Sequence, residues 1–447
     1  MDRRHFLGGL LGGAFSLPLL RALASPKAAP AEDEFFIFVH GNGGWDVTLW
    51  ADPRNEKKGI VDPASTANTD TGPIRLWKDA PLDDDVRSFQ IVQPSGCKIP
   101  FGPGIGRLVE HADRLCLVNG LAMNTVSHPD GTAYSATGRH LVGGRVVASS
   151  LDTMIANELG RDRTFPVVSV SFPSSFVGDG LDRRVVPLRV GSINAITRVL
   201  SRAEKWETSV DRDAVTALLS QEARDLASRS QHPDVLDGLA VQYDALRKML
   251  GGEAQAVFAP QALRTAQPGF DYKARYVGNS VINAAFAVEA MKRNLVRCVG
   301  FSLGGFDTHA TNYKNQAAIQ QDVFDCLADL LRALDAAPHP TRVGKKLSEH
   351  THIVVMSEFC RTPQINVNGG RDHYPNNSAL VISPRFKGNF VFGKSDLEQL
   401  LPAQAKAFAA GPRAIAPPDL LSTLLSAFGI EPTKYVRDGE VVPELLA

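Results

Sequence analysis

Short apolar runs rich in β-branched and aromatic residues recur along the chain, separated by longer stretches with helical spacing of apolar positions. The short runs predict buried strands at Phe35–His40, Arg114–Asn119, Val167–Phe172, Leu295–Ser302, His352–Met356 and Ala379–Ser383. The longer stretches predict helices at Ser150–Leu159, Ser192–Leu250 in pieces, Asp271–Lys292, Gln316–Asp335 and Asp419–Phe428. Continuous apolar strands alternating with helices imply a mostly parallel central sheet covered on both faces, a three-layer α/β/α sandwich. The stretch from Arg161 to Gln267 is richer in Arg, Asp and Glu and holds the weakest strand signals. It reads as a helical insertion beside the sheet, and Gly251–Pro268 reads as a linker or exposed loop.

The N-terminus adds a second organisational feature. Asp2-Arg3-Arg4-His5-Phe6-Leu7 opens a Gly-, Ala- and Leu-rich apolar run that closes at Ala22-Leu23-Ala24, a small-x-small cleavage pattern. A charged start, a short apolar stretch and an A-x-A end define a secretory signal, and the paired arginines make it the twin-arginine type. The run falls short of the roughly 20 apolar residues a membrane span needs, which favours a removable signal over an anchor. Residues 1–31 are therefore expected to be signal and short linker, and 32–447 the working domain. The expected location is the periplasm or the extracellular space, reached through the twin-arginine translocase. That route carries folded proteins, often with a cofactor already in place.

Composition acts mainly by exclusion. Lys plus Arg and Asp plus Glu number 48 each, so the formal net charge is zero and no electrostatic footprint for nucleic acid exists. The five cysteines are scattered without a C-x-x-C pair, and Cys116, Cys298 and Cys326 lie in apolar runs that read as core. A disulfide scaffold is not expected.

The chemistry collects where strands end. Ligands of open α/β sheets bind beyond the carboxyl ends of the strands, and four predicted strands run into unusual polar segments there. These are His40-Gly41-Asn42-Gly43-Gly44-Trp45-Asp46, Asn124-Thr125-Val126-Ser127-His128-Pro129-Asp130, Gly304-Gly305-Phe306-Asp307-Thr308-His309 and Ser357-Glu358-Phe359-Cys360-Arg361-Thr362. A later loop carries Gly369-Gly370-Arg371-Asp372-His373. Asp46, Asp307, Glu358 and Asp372 would thus share one end of the sheet with His128, His309 and His373. Converging carboxylates resist ionising together, and bound cations remove that penalty. Mixed carboxylate and imidazole ligands suit Zn, Mn or a Mg/Ca-like ion, one or two of them. Neighbouring metals activate a nucleophile and hold the oxygens of a displaced phosphate or sulfate, and Arg361 and Arg371 are the expected bidentate partners of that anion.

Three of these segments resemble signatures of a large exported bacterial family, domain of unknown function 1501: Gly304 to His309, Ser357 to Pro363 and Gly370-Arg371-Asp372-His373. Gly43-Gly44-Trp45-Asp46 and Asp419-Leu420-Leu421-Ser422-Thr423-Leu424 with Gly429 fit it too, so the resemblance spans essentially the whole mature chain. The family is similar in fold to the alkaline phosphatase and sulfatase superfamily. That resemblance implies a metal ligand at Asp46 and a second metal taken by Asp307 and His309 ahead of the Gln316–Asp335 helix, completed by His373. It also implies a nucleophile after the second strand, where Thr125, Ser127 and His128 stand. Ser127 is the choice by chemistry, although it equally reads as a helix cap. The chain departs from the superfamily in the short Asp307–His309 spacing and in carrying Ser357-Glu358 where an Asp-His pair is usual. The implied activity is metal-dependent hydrolysis of a small anionic ester, a phosphate or sulfate. Asp46, Asp307, His309, Glu358, Asp372 and His373 would ligate metal, Arg361 and Arg371 would hold the anion, and Ser127 or a metal-activated water would attack, with His128 beside it.

Two other readings come from the same residues. Gly300-Phe301-Ser302-Leu303-Gly304 matches the G-x-S-x-G of serine esterases, with Asp372 and His373 in the matching chain order. Against it, Gly304-Gly305-Phe306-Asp307 continues as loop where a nucleophile elbow needs a helix. The third reading is a non-catalytic exported protein that keeps the fold and serves a protein partner in binding or assembly.

Overall fold

The computed structural model describes residues 33–54, 91–178, 180–193, 209–229, 259–409 and 411–447. The twin-arginine segment lies outside them, as does most of the Ser192–Leu250 helical stretch. The strands are β1 (Phe35–Gly41), β2 (Leu115–Asn119), β3 (Phe165–Val170), β4 (Leu188–Val190), β5 (Val296–Leu303), β6 (Thr351–Ser357), β7 (Cys360–Arg361), β8 (His373–Tyr374), β9 (Ser378–Ile382), β10 (Phe390–Gly393), β11 (Lys406–Phe408) and β12 (Gly411–Arg413). The helices are α1 (His128–Thr137), α2 (Leu151–Leu159), α3 (Ser209–Ala227), α4 (Pro260–Ala266), α5 (Val281–Lys292), α6 (Asn312–Ala336) and α7 (Pro417–Ala427).

Eight strands form the central sheet in the order β10-β2-β9-β6-β1-β5-β3-β4. β9 runs against both its neighbours, β2 and β6, and the remaining pairings are parallel. β1 sits at the centre and every one of its residues is buried. Successive strand side chains point to opposite faces, so Phe35, Ile37 and Val39 enter one core while Phe36 and Phe38 enter the other. Each such side chain stabilises the fold by roughly 1.5–3 kcal/mol when buried. α5, α6 and the 3-10 segment Pro103–Arg114 close the first core, and α1, α2 and α7 contribute to the second. The expected three-layer sandwich with a mostly parallel sheet is the observed one.

All six expected strands form within two residues of their predicted bounds. The stretch expected as a helical insertion, 161–267, differs at its start: β3 and β4 belong to the central sheet. Val167, Val168 and Val170 are buried, and that burial outweighs the charged character of the surrounding sequence. The helix expected from Asp271 begins only at Val281, after a run of turns. The sequence pattern missed α1, whose apolar residues are few and show almost no periodicity. All five cysteines are free, with Cys116, Cys298 and Cys326 buried as expected and Cys360 buried too. Among the described residues no helix is long and apolar enough to cross a membrane.

Candidate metal centre

The polar segments after β1, β5 and β6 meet because those three strands are adjacent and parallel and so end on one edge. β1 leaves the sheet through Gly43, which has a φ of +111°, and a Cβ there would lie 2.5 Å from the backbone nitrogen of Asp307. Only glycine lets the first loop approach the loop after β5 that closely. The Gly43 amide donates to Glu358 Oε1 at 2.7 Å, which ties the β1 and β6 ends together. Gly370 does the same for the last loop, since a Cβ on it would overlap the backbone of His309.

Three imidazoles gather around one carboxylate oxygen. Asp307 Oδ1 lies 3.0 Å from His309 Nε2, 3.4 Å from His373 Nε2 and 3.5 Å from His128 Nε2. His309 Nε2 and His373 Nε2 are 3.0 Å apart. The ligand atoms of His128, Asp307 and His373 all fall within 4.8 Å of one another, and His309 Nε2 lies beside Asp307 and His373. Each ring is held by its other nitrogen. His128 Nδ1 faces Glu358 Oε1 at 2.8 Å, His309 Nδ1 faces Asp372 Oδ1 at 2.7 Å, and His373 Nδ1 faces the Val126 carbonyl at 2.8 Å. All three partners only accept, so each Nδ1 donates to its partner and Nε2 is the ring atom turned toward Asp307. Carboxylates and carbonyls that fix metal-binding histidines act in this way. A tetrahedral ion with bonds of about 2.0–2.1 Å sets its ligand atoms roughly 3.3 Å apart, close to the 3.0–3.5 Å that separates Asp307 Oδ1 from the three Nε2 atoms. The residues therefore fit a divalent cation with nitrogen and oxygen ligands.

The electrostatics agree. Burial works against the Asp307 carboxylate, but the Arg361 hydrogen bond and charge, with His128 and His373, bring its pKa down to about 2. Burial opposes Glu358 as well, yet its hydrogen bond with His128 and the Gly43 amide help hold it at about 2. The Glu358 hydrogen bond pushes His128 above the usual imidazole value. Two stable anions beside imidazoles make a site of cation-attracting character.

The expected ligand set is thus divided by the tertiary structure. Asp307, His309 and His373 meet as expected, and His128 joins them as a ligand-type group. Glu358 and Asp372 stand behind the rings and orient them. Asp46 does not reach the cluster among the described contacts. It is fully buried, caps the 3-10 turn Val47–Leu49, accepts from Thr48 and from Asn312 Nδ2 at 2.8 Å, and forms an ion pair with Arg371 at 3.5 Å. Arg361 and Arg371, expected to hold the anion, are both fully buried. Arg361 donates to the carbonyls of Gly43, Gly44 and Arg371 and to Asp307, so its fork is spent inside the protein. This corrects its expected role: it braces the loops and Asp307. Arg371 pairs with Asp46 out of reach of solvent, so it too is a brace.

Ser127 is the N-cap of α1 but makes no side-chain cap bond, and it is exposed one residue before His128. Ser302 donates to the Ser171 carbonyl at 2.6 Å, and β5 passes into loop rather than helix. Asp372 pairs with His309 and not with His373, so no Ser302–His373–Asp372 relay is assembled.

The family model for "Protein of unknown function (DUF1501)" matches residues 34–440. The chain belongs to this family. No curated protein sequence matches it. Solved structures similar to this DUF1501 chain include "Ps i-CgsB in complex with k-i-k-neocarrahexaose", at 11% identity and a TM-score of 0.37 over 91% of this chain and 75% of that one. The lipoteichoic acid synthase LtaP from Listeria monocytogenes is similar at 8% identity and a TM-score of 0.36, over 90% and 73%. A protein described with the metabolism of multiple glycosaminoglycans by Bacteroides thetaiotaomicron gives 11% and 0.32, over 92% and 76%. In the DUF1501 chain, His128 was expected at this end of the sheet as a catalytic residue, and its place as a ligand-type ring was not legible from sequence. The Ser-His-Pro-Asp turn at a strand end was its only local signal.

Proposed function

We propose that this protein is an exported, divalent-metal-dependent hydrolase of phosphate or sulfate esters. One observation carries the reading: three histidines, each fixed through Nδ1, turn Nε2 toward a single oxygen of an ionised aspartate. His128, His309, His373 and Asp307 would hold the cation, and Glu358, Asp372 and the Val126 carbonyl keep the rings in the ligating tautomer. A divalent ion in such a site acts as a Lewis acid on an ester oxygen. Asp307 is kept anionic by Arg361 and so keeps its ligand oxygen. Ser127 offers an exposed hydroxyl at the first turn of α1, where backbone N–H groups and the helix dipole favour an anion. Water adds across the ester bond, releasing an alcohol and the inorganic anion. Zn or Mn fits the nitrogen-rich donor set better than Mg or Ca. Export through the twin-arginine translocase to the periplasm or beyond belongs to the same proposal, supported by Arg3-Arg4 and the Ala22-Leu23-Ala24 pattern.

The test is elemental analysis of the mature protein purified without chelator, together with hydrolysis of 4-nitrophenyl phosphate and 4-nitrophenyl sulfate. Near-stoichiometric metal is expected, with activity lost on chelation and on Asp307→Asn and restored by the ion. A protein that takes up no Zn or Mn on soaking, or that hydrolyses esters undiminished in chelator, overturns the reading.

A further inference from the structure

Beside the metal centre lies a cavity of about 650 Å³, within the roughly 300–1,000 Å³ of small-molecule sites. It opens at the carboxyl ends of β1, β3 and β5, where open α/β sheets bind ligands. Three of its lining residues tie it to the metal centre. Thr132 is one turn along α1 from His128, Asn42 precedes the Gly43 that binds Glu358, and His40 Nε2 lies 3.4 Å from Glu358 Oε2.

The lining has a distinctive chemistry. Asn42, Thr132, Ser192, Asn279, Ser280 and Asn283 all face the cavity, and none of them makes a side-chain hydrogen bond among the described residues. Asn283 is buried and Ser280 caps α5 without using its hydroxyl. Among the described residues no Lys, Arg, Asp or Glu lines the space, and burial pushes the His40 imidazole below its usual value. Phe172 supplies an aromatic wall, steadied by Phe38 at a ring-centroid distance of 4.8 Å.

Each ligand class meets this lining differently. An apolar ligand would strand six polar side chains without partners, which is costly. Among the described lining residues an anion finds no cationic side chain and a cation finds no carboxylate. A neutral ligand with many hydroxyl groups satisfies amides and hydroxyls alike, because both donate and accept. We infer that this cavity binds an uncharged polyhydroxylated ring, a sugar, carried by the ester that the neighbouring centre cleaves. The link to the ester rests on the proposed hydrolase reading, whereas sugar binding itself does not.

The experiment uses saturation-transfer NMR on the full mature chain in excess chelator, with methyl β-D-galactoside, methyl β-D-glucoside and cellobiose as probes and cyclohexanol as control. At least one sugar is expected to receive saturation that the other sugars compete away and that cyclohexanol lacks. Asn283→Leu and Ser192→Val, each checked for an unchanged circular dichroism spectrum, are expected to weaken the apparent affinity about tenfold apiece, as one lost hydrogen bond does. Because Asn283 is buried, Ser192→Val keeps the test valid if the first variant does not fold. Saturation of no sugar, equal saturation of cyclohexanol, or affinity unchanged in the folded variants overturns the inference. Metal content of the same preparation is read separately. Sugar binding by a protein that takes up no metal sinks only the hydrolase reading, and metal uptake without sugar binding sinks only this one.

Discussion

The two ends of the central strands carry the same residue types and use them in opposite ways. At the amino end, Glu34 pairs with His352 Nε2 and with Arg385, while His352 Nδ1 meets Ser383 Oγ at 2.8 Å. Both ring nitrogens are spent, and His352 is fully buried. At the carboxyl end, His128, His309 and His373 each spend one nitrogen and keep the other turned toward Asp307, which is 52% exposed. A closed His–carboxylate–Arg cluster is a structural clasp. The same groups with their Nε2 atoms gathered around one exposed carboxylate make a candidate ligand site. Residue type is shared, and hydrogen-bond accounting separates the functions.

Substitutions at the two ends should therefore separate as well. The largest effect is expected for His309→Ala, which removes one ligand nitrogen. Metal affinity should fall by more than about 100-fold, with the melting temperature of the metal-free protein unchanged, measured by competition with a chelating dye and by thermal scanning. A variant that binds metal as tightly as the parent would break the comparison from the functional side.

Next comes Glu34→Gln. Breaking a buried ion pair by removing one partner costs about 3 kcal/mol or more, so denaturant unfolding should register it while metal content stays the same. Burial opposes the Glu34 carboxylate, but His352 and Arg385 bring its pKa from 4.5 to about 2. A depressed carboxyl pKa gives stability that is present above the unfolded value and lost as pH falls through the folded one. The parent should therefore lose stability between about pH 4.5 and 2, and E34Q should show a shallower loss across that window. Equal slopes would mean the clasp contributes no linkage.

The smallest and sharpest test is Asp372→Asn. Asp372 is exposed and touches no other ligand ring than His309, so stability should hold while metal affinity drops about 10- to 100-fold, as expected when a ring loses its orienting carboxylate. No change would demote Asp372 to a surface group.

Much of the fold was legible from the sequence, because buried parallel strands write themselves as continuous apolar runs. FFIFVH and HIVVM admit few other readings, and both became central strands. β4 escaped because its three residues, Leu188–Val190, are half exposed at the sheet edge. α1 escaped because its stability comes from packing, with Tyr134 and Ala136 buried, and not from an amphipathic stripe. The segments that form the site were legible too, since polar clusters at strand ends are conspicuous against apolar surroundings. The meeting of Asp307, His309 and His373 was expected, but the withdrawal of Asp46, Arg361 and Arg371 into the interior was not.

The sequence alone determined the alternation of strands and helices, the glycines that let loops cross closely, and the stock of carboxylates and imidazoles at one edge. Tertiary structure alone decided their division of labour. Asp46, Arg361 and Arg371 look like ligands and anion holders in the linear chain, yet they are wholly buried, Arg361 donating to backbone carbonyls and Arg371 paired with Asp46. His128 reads in the linear chain as a catalytic residue beside Ser127, yet Glu358, 230 positions away in sequence, aims its ring at Asp307. A hydrogen-bonding group has a fixed capacity, and only the folded neighbourhood determines how much of that capacity is left for a ligand.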